Sequence, residues 1–220
     1  MTDLMISIVV VVCIGVFIIA IFAAISARKR KSEQALAEYC QSQGYSFNKL
    51  REPLRTELRI EGDSFLLTSI MASLHHEGQT GSASWHKKTV WMTRGENSAW
   101  SSFTLGSVPA AGSWEQLPDW IKHAVIEEFM RESGIVFQAE NVQPLYVTEK
   151  SSFLLFEQLP GESRDTMQRL IPLLNEWPSQ FKLVIHSNPV EIRIHVANCF
   201  IQDAALLEKL IRLGAAVGGM

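Results

Sequence analysis

Hydrophobic and polar positions divide the chain into three regimes: an unbroken apolar run, a stretch of short alternations, and several amphipathic periods closed by glycine. The apolar run extends from Leu4 to Ala27 without a charged side chain and ends at Arg28, Lys29, Arg30 and Lys31. At about 1.5 Å of rise per residue, a helix of that length covers roughly 36 Å, enough to cross a hydrocarbon core of about 30 Å with some tilt. The pattern predicts an N-terminal transmembrane helix.

The flanks set its direction. A signal peptide carries its positive charge before a shorter apolar stretch, whereas here Asp3 precedes and the basic cluster follows. Basic residues beside a span stay on the cytoplasmic side, so Arg28, Lys29, Arg30 and Lys31 are the expected topology determinants. They predict a single-pass protein of the cell (inner) membrane, with its N-terminus outside and its C-terminal domain in the cytoplasm. The expected organisation is an anchor with a basic flank over 1–31 and a cytosolic domain over 32–220.

Beyond the anchor, Ala35, Leu36, Tyr39 and Cys40 recur at helical spacing from Ser32 to Gln43, with Gly44 as the stop. This helix continues from the span or stacks beneath it. Alternating runs at Tyr45 to Phe47, Leu58 to Ile60, Phe65 to Leu74, Trp85 to Met92 and Ala99 to Leu105 read as strands, and their turns predict a three-stranded antiparallel meander. Gly106 to Gly112 reads as a small-residue loop. Pro118 then opens a helix to Ser133 that buries a stripe of Trp120, Ile121, Ala124, Val125 and Phe129.

Further strands are expected at Leu145 to Val147, Phe153 to Phe156, Phe181 to His186 and Val190 to Val196, the last two joined by an Asn188-Pro189 turn. A helix begins near Ser163, where Pro172 must kink it or start a new turn. The final helix runs from an Asp203 cap to Leu213, ended by Gly214. The fold class is therefore α+β: one transmembrane helix, then a mixed domain with antiparallel strands and about four helices. Residues 37–47 and 127–137 align without a gap, so two related halves, 32–134 and 135–220, stand beside the simpler reading that helix-glycine-strand junctions look alike.

Composition narrows the function. Of 20 basic and 23 acidic side chains, four basic and one acidic belong to the anchor, leaving a domain acidic by six. That balance and the lack of a basic, aromatic-laced stretch disfavour nucleic acid as a partner. Cys13, Cys40 and Cys199 have no paired spacing, which fits a reducing compartment and buried thiols. No phosphate-loop, dinucleotide or nucleophile-elbow motif occurs, and no cofactor is expected.

Two candidate sites remain. His75, His76 and His86 flank a glycine-rich turn, and imidazoles gathered there suit a transition metal, the basis of an alternative reading as a membrane-anchored metal-dependent enzyme. Trp114 and Trp91 are candidate contact residues, because aromatic side chains favour interface centres, although tryptophans also fill cores. The leading expectation is a cytosolic-side interaction or scaffold module of a membrane complex. It meets the lipid bilayer through Leu4 to Ala27 and binds a membrane or membrane-proximal protein.

Overall fold

A computed structural model describes residues 2–74, 84–109, 117–133, 142–146, 151–157 and 161–219. Its elements are α1 (Thr2–Ser42), β1 (Ser46–Glu52), β2 (Arg55–Glu61), β3 (Phe65–Leu74), β4 (Ser84–Thr93), β5 (Phe103–Pro109), α2 (Asp119–Ser133), β6 (Val142–Tyr146), β7 (Ser151–Glu157), α3 (Arg164–Asn175), β8 (Lys182–Ser187), β9 (Ile192–Ala197) and α4 (Ala204–Gly218). The expected α+β class with antiparallel pairing holds. The nine strands form one sheet in the order β1-β2-β3-β4-β9-β8-β5-β7-β6.

Every neighbouring pair is antiparallel. The first part is a four-stranded meander rather than the expected three, because β1 and β2 pair along seven residues each. β5 does not extend it. β9 takes the free edge of β4, while β5 inserts between β8 and β7. The stretch from Gly106, expected as a loop, belongs to β5 through Pro109 because β7 pairs with it throughout; β8 pairs as far as Gly106, and just beyond it Ser107 Oγ accepts from the Leu183 N–H at 2.7 Å.

The larger core lies on one face of the sheet, beneath α1, α3 and α4. There Leu58, Ile60, Leu67, Trp91, Leu105, Leu183, Ile185 and Ile194 meet Leu36, Leu170, Leu174, Leu207 and Leu210. On the opposite face α2 buries Ile126 against Leu154, Phe156 and Val184. Successive side chains of β7 and β8 are therefore buried on alternating faces, which explains their continuous apolar sequence. Trp120, expected in the buried stripe of α2, is instead 72% exposed, because Ile126 is the residue turned onto the sheet.

Helix ends follow local chemistry. Gly44 adopts a left-handed φ of 73° after α1, and Asp203 caps α4 by accepting from the Leu206 N–H at 2.8 Å. Pro172 sits inside α3 without ending it. Gly214 does not stop α4 as expected; the helix runs on to a left-handed Gly219 at φ 67°. The side chains of α1 are described from Ile14 onward. Among the described residues no helix is long and apolar enough to cross a membrane.

Candidate functional site

Two regions gather polar side chains, one at the root of α1 and one on the α2 face. At the root, Leu36 and Cys40 are buried in the main core, so the last turns of α1 are part of the domain. Glu33, two residues beyond the end of the basic cluster, accepts from Lys49 at 2.5 Å and from Arg51, tying α1 to β1. Burial alone would raise the Glu33 carboxyl, but the two cations outweigh it and hold it below the usual carboxylate range. Ser32 Oγ donates to the Gln202 carbonyl, which fastens the same turn to the approach of α4.

These contacts border a groove of about 680 Å³ whose lining includes Arg28, Lys29, Phe47, Lys49, Phe200 and Asp203. The first two residues of the basic cluster thus line it. Arg28, Lys29, Arg30 and Lys31 are exposed on α1, as are Ile14, Val16, Phe17, Ile19, Phe22 and Ile25 above them. A helix this apolar around its whole circumference has no core-facing side of its own.

On the other face, β4, β9 and β8 carry His86, Lys88, His195 and Lys182 toward a pocket of about 340 Å³, with Arg131 of α2 beside them. His195 lies between Val90 and Val184 in the cross-strand register, and Lys88 and Lys182 both oppose Ala197. The His195 imidazole is buried and neither ring nitrogen has a hydrogen-bond partner. Burial, followed by Lys88, Arg193 and His186, drives its pKa down to about 3. Burial and then Arg193 also lower the Lys88 ammonium. Next in the row, His186 bonds Thr104 Oγ1 at 2.8 Å and Asn188 at 3.0 Å.

The expected site residues are only partly brought together. His86 stands at the rim of this pocket, whereas His75, His76 and Trp114 lie outside the described residues. Among the described residues no group of three His, Cys, Asp or Glu side chains can hold a metal ion. Trp91 is 1% exposed and stacked on Phe65 at 6.0 Å, so it is core rather than contact surface: its position on β4 faces the layer of α1, α3 and α4. Trp85, six residues earlier on the same strand, is half exposed.

Both described thiols are sequestered. Burial pushes Cys40 and Cys199 up to about 11, so neither is a nucleophile in the folded chain. Of the residues lining the pocket, the sequence singled out His86 but not its cations. Lys88, Lys182 and Arg131 come from three separate segments; the β4-β9-β8 register, which no local pattern encodes, brings the two lysines together, and α2 adds Arg131. An open nine-stranded antiparallel sheet, helices on both faces and a long N-terminal helix define the architecture. Comparison with protein-family models, curated proteins and solved structures finds no match for this chain.

Proposed function

We propose that the chain is a single-pass membrane protein whose cytosolic domain is a binding module for a membrane or membrane-proximal protein. One observation carries the reading: α1 runs without a break from the apolar run into the core of the domain, where Leu36 and Cys40 are buried. A flexible linker would leave a tethered domain free to tumble. A continuous helix of 41 residues, about 60 Å long, holds it in one orientation instead.

Further support comes from the exposed apolar side chains between Ile14 and Ile25, which suit lipid, and from the basic cluster immediately after them. Tethering raises the local concentration of partners in the same membrane, so modest affinity is enough for occupancy. The fixed orientation then selects which surface a partner meets. The domain acts by placement.

Crosslinking in native membranes through a photoreactive residue at Trp85 tests this. The expected result is a discrete adduct with a membrane-associated protein. Fractionation of the chain away from membranes, or its recovery from gently solubilised membranes with no adduct, overturns the reading.

A further inference from the structure

The pocket between α2 and the β4-β9-β8 face is independent of the anchor and has its own chemistry. Lys88, Lys182, Arg131, His86 and Asn198 contribute its polar lining, and no carboxylate lines it among the described residues. Glu128 of α2 does bond Lys182, at 2.5 Å, from beside it. A positive pocket in a domain that is acidic as a whole costs repulsion between its cations. An anionic occupant removes that cost.

Register gives the site its shape. Lys88 on β4 and Lys182 on β8 both face Ala197 on the strand between them, so the lysine backbones stand roughly 10 Å apart with a methyl group as the floor. One residue pair further along the sheet lies His195, 6% exposed, with both ring nitrogens unpartnered. A buried imidazole without partners is rare unless something else supplies them. Two ammonium groups on either side and an imidazole along the floor form a three-sided donor set. A tetrahedral dianion presents oxygens in all three directions, whereas a planar carboxylate reaches only two.

We propose that this pocket binds a phosphate dianion, free or borne as a phosphomonoester on a small molecule. Lys88 and Lys182 grip the phosphate oxygens, His195 donates from the floor, and Arg131 covers the open side. A volume of about 340 Å³ exceeds what phosphate alone fills and leaves space beside Asn198 for a small organic body. The charged and titratable groups around His195 are His86 and Lys88 on β4, Arg193 on β9, Lys182 and His186 on β8, and Glu128 and Arg131 on α2. Burial first, and then these cations, keep the imidazole neutral when the pocket is empty; a dianion against the ring opposes both effects, and binding takes up a proton.

The test is calorimetric titration of the full chain in a neutral detergent with inorganic phosphate and, separately, glycerol 3-phosphate, in two buffers of different ionisation enthalpy. Saturable binding with a Kd of about 1 mM or tighter and net proton uptake is expected. Tighter binding of the ester assigns a phosphorylated small molecule; equal binding assigns phosphate itself. Lys88→Gln and Arg131→Gln should each weaken binding by about tenfold, the second on an exposed helix position that leaves the fold intact. His195→Gln should abolish the proton uptake. Absence of binding at 20-fold that concentration, or binding unchanged in both Lys88→Gln and Arg131→Gln, overturns the proposal, as does binding lost only when Arg28 to Lys31 are neutralised.

Discussion

Gly214 on α4 lies directly against the indole of Trp91 on β4: a Cβ at Gly214 would come within 2.3 Å of Trp91 Cζ2. Helix propensity alone favours alanine there by about 1 kcal/mol. The ring cannot retreat, because Phe65 stacks on it within a closed core. Overpacking of this kind costs about 1–3 kcal/mol, so Gly214→Ala should destabilise the domain by about 1–2 kcal/mol net in chemical denaturation. Adding Trp91→Phe should relieve part of that loss, and a strictly additive double mutant would show that the contact is not what matters.

Four groups form a directed hydrogen-bond chain through the same core. The Ile201 N–H donates to Ser69 Oγ at 3.0 Å, Ser69 and Thr89 hydroxyls meet at 2.8 Å, and Thr89 Oγ1 donates to the Cys199 carbonyl at 2.9 Å. Since Thr89 spends its proton on Cys199, Ser69 must donate to Thr89. Ser69→Ala leaves the buried Ile201 N–H and one Thr89 lone pair unmet, an expected loss of about 1–3 kcal/mol. Amide exchange at Ile201 should accelerate in that variant. Unchanged protection would contradict the assigned direction.

His195 makes stability depend on acid. Its folded pKa is lowered to about 3, so the native state stays neutral while the unfolded chain takes up a proton near the ordinary value of 6.5. Stability contributed by the neutral form is present above the unfolded value and falls as pH drops from 6.5 toward 3. Its share of the slope is at most about 1.4 kcal/mol per pH unit. Denaturation midpoints of the wild type and His195→Gln, measured between pH 7 and pH 4.5, should diverge with the wild type losing more. Parallel curves would remove His195 as the cause.

Helical phase tests whether the orientation of the domain matters. Two alanines inserted after Lys31 rotate everything beyond by about 200° relative to the apolar run, whereas four return it to within about 40°. Adduct formation from Trp85 should vanish with two and largely persist with four. Equal yields from both insertions would mean that tethering alone suffices.

The thiols offer a check on burial. At pH 8, alkylation of Cys40 and Cys199 should be slower than in the unfolded chain by at least about 100-fold, since burial holds both near 11. Mass spectrometry of peptides covering each cysteine reads this directly. Fast labelling of Cys40 alone would reveal that the root of α1 opens.

Local signals reported the elements well. The helical stripe of Leu36 and Cys40, the Asp203 cap and the Asn188-Pro189 turn each act within a few residues, and Asn188 Oδ1 does accept from the Val190 and Glu191 N–H groups at 2.8 and 2.9 Å. Gly214 misled because glycine serves two purposes: it ends helices through backbone freedom, and it admits a close neighbour through its missing side chain. Which one applies depended on Trp91, a residue 123 positions away in the chain. Strand order was equally hidden, since β9 takes the place beside β4 that adjacency in sequence would assign to β5, and β5 lies between β8 and β7. The pocket of Lys88, Lys182 and His195 exists only once that order is known.

The two outer strands carry a further consequence. β1 presents Lys49 and Arg51 at one margin of the sheet, and β6 places Pro144 at the other, where a missing N–H interrupts any incoming ladder. Copies of the chain brought side by side at high concentration would otherwise meet margin to margin and zip together. Ion-paired side chains tied to α1 at one border and proline at the other disfavour such pairing.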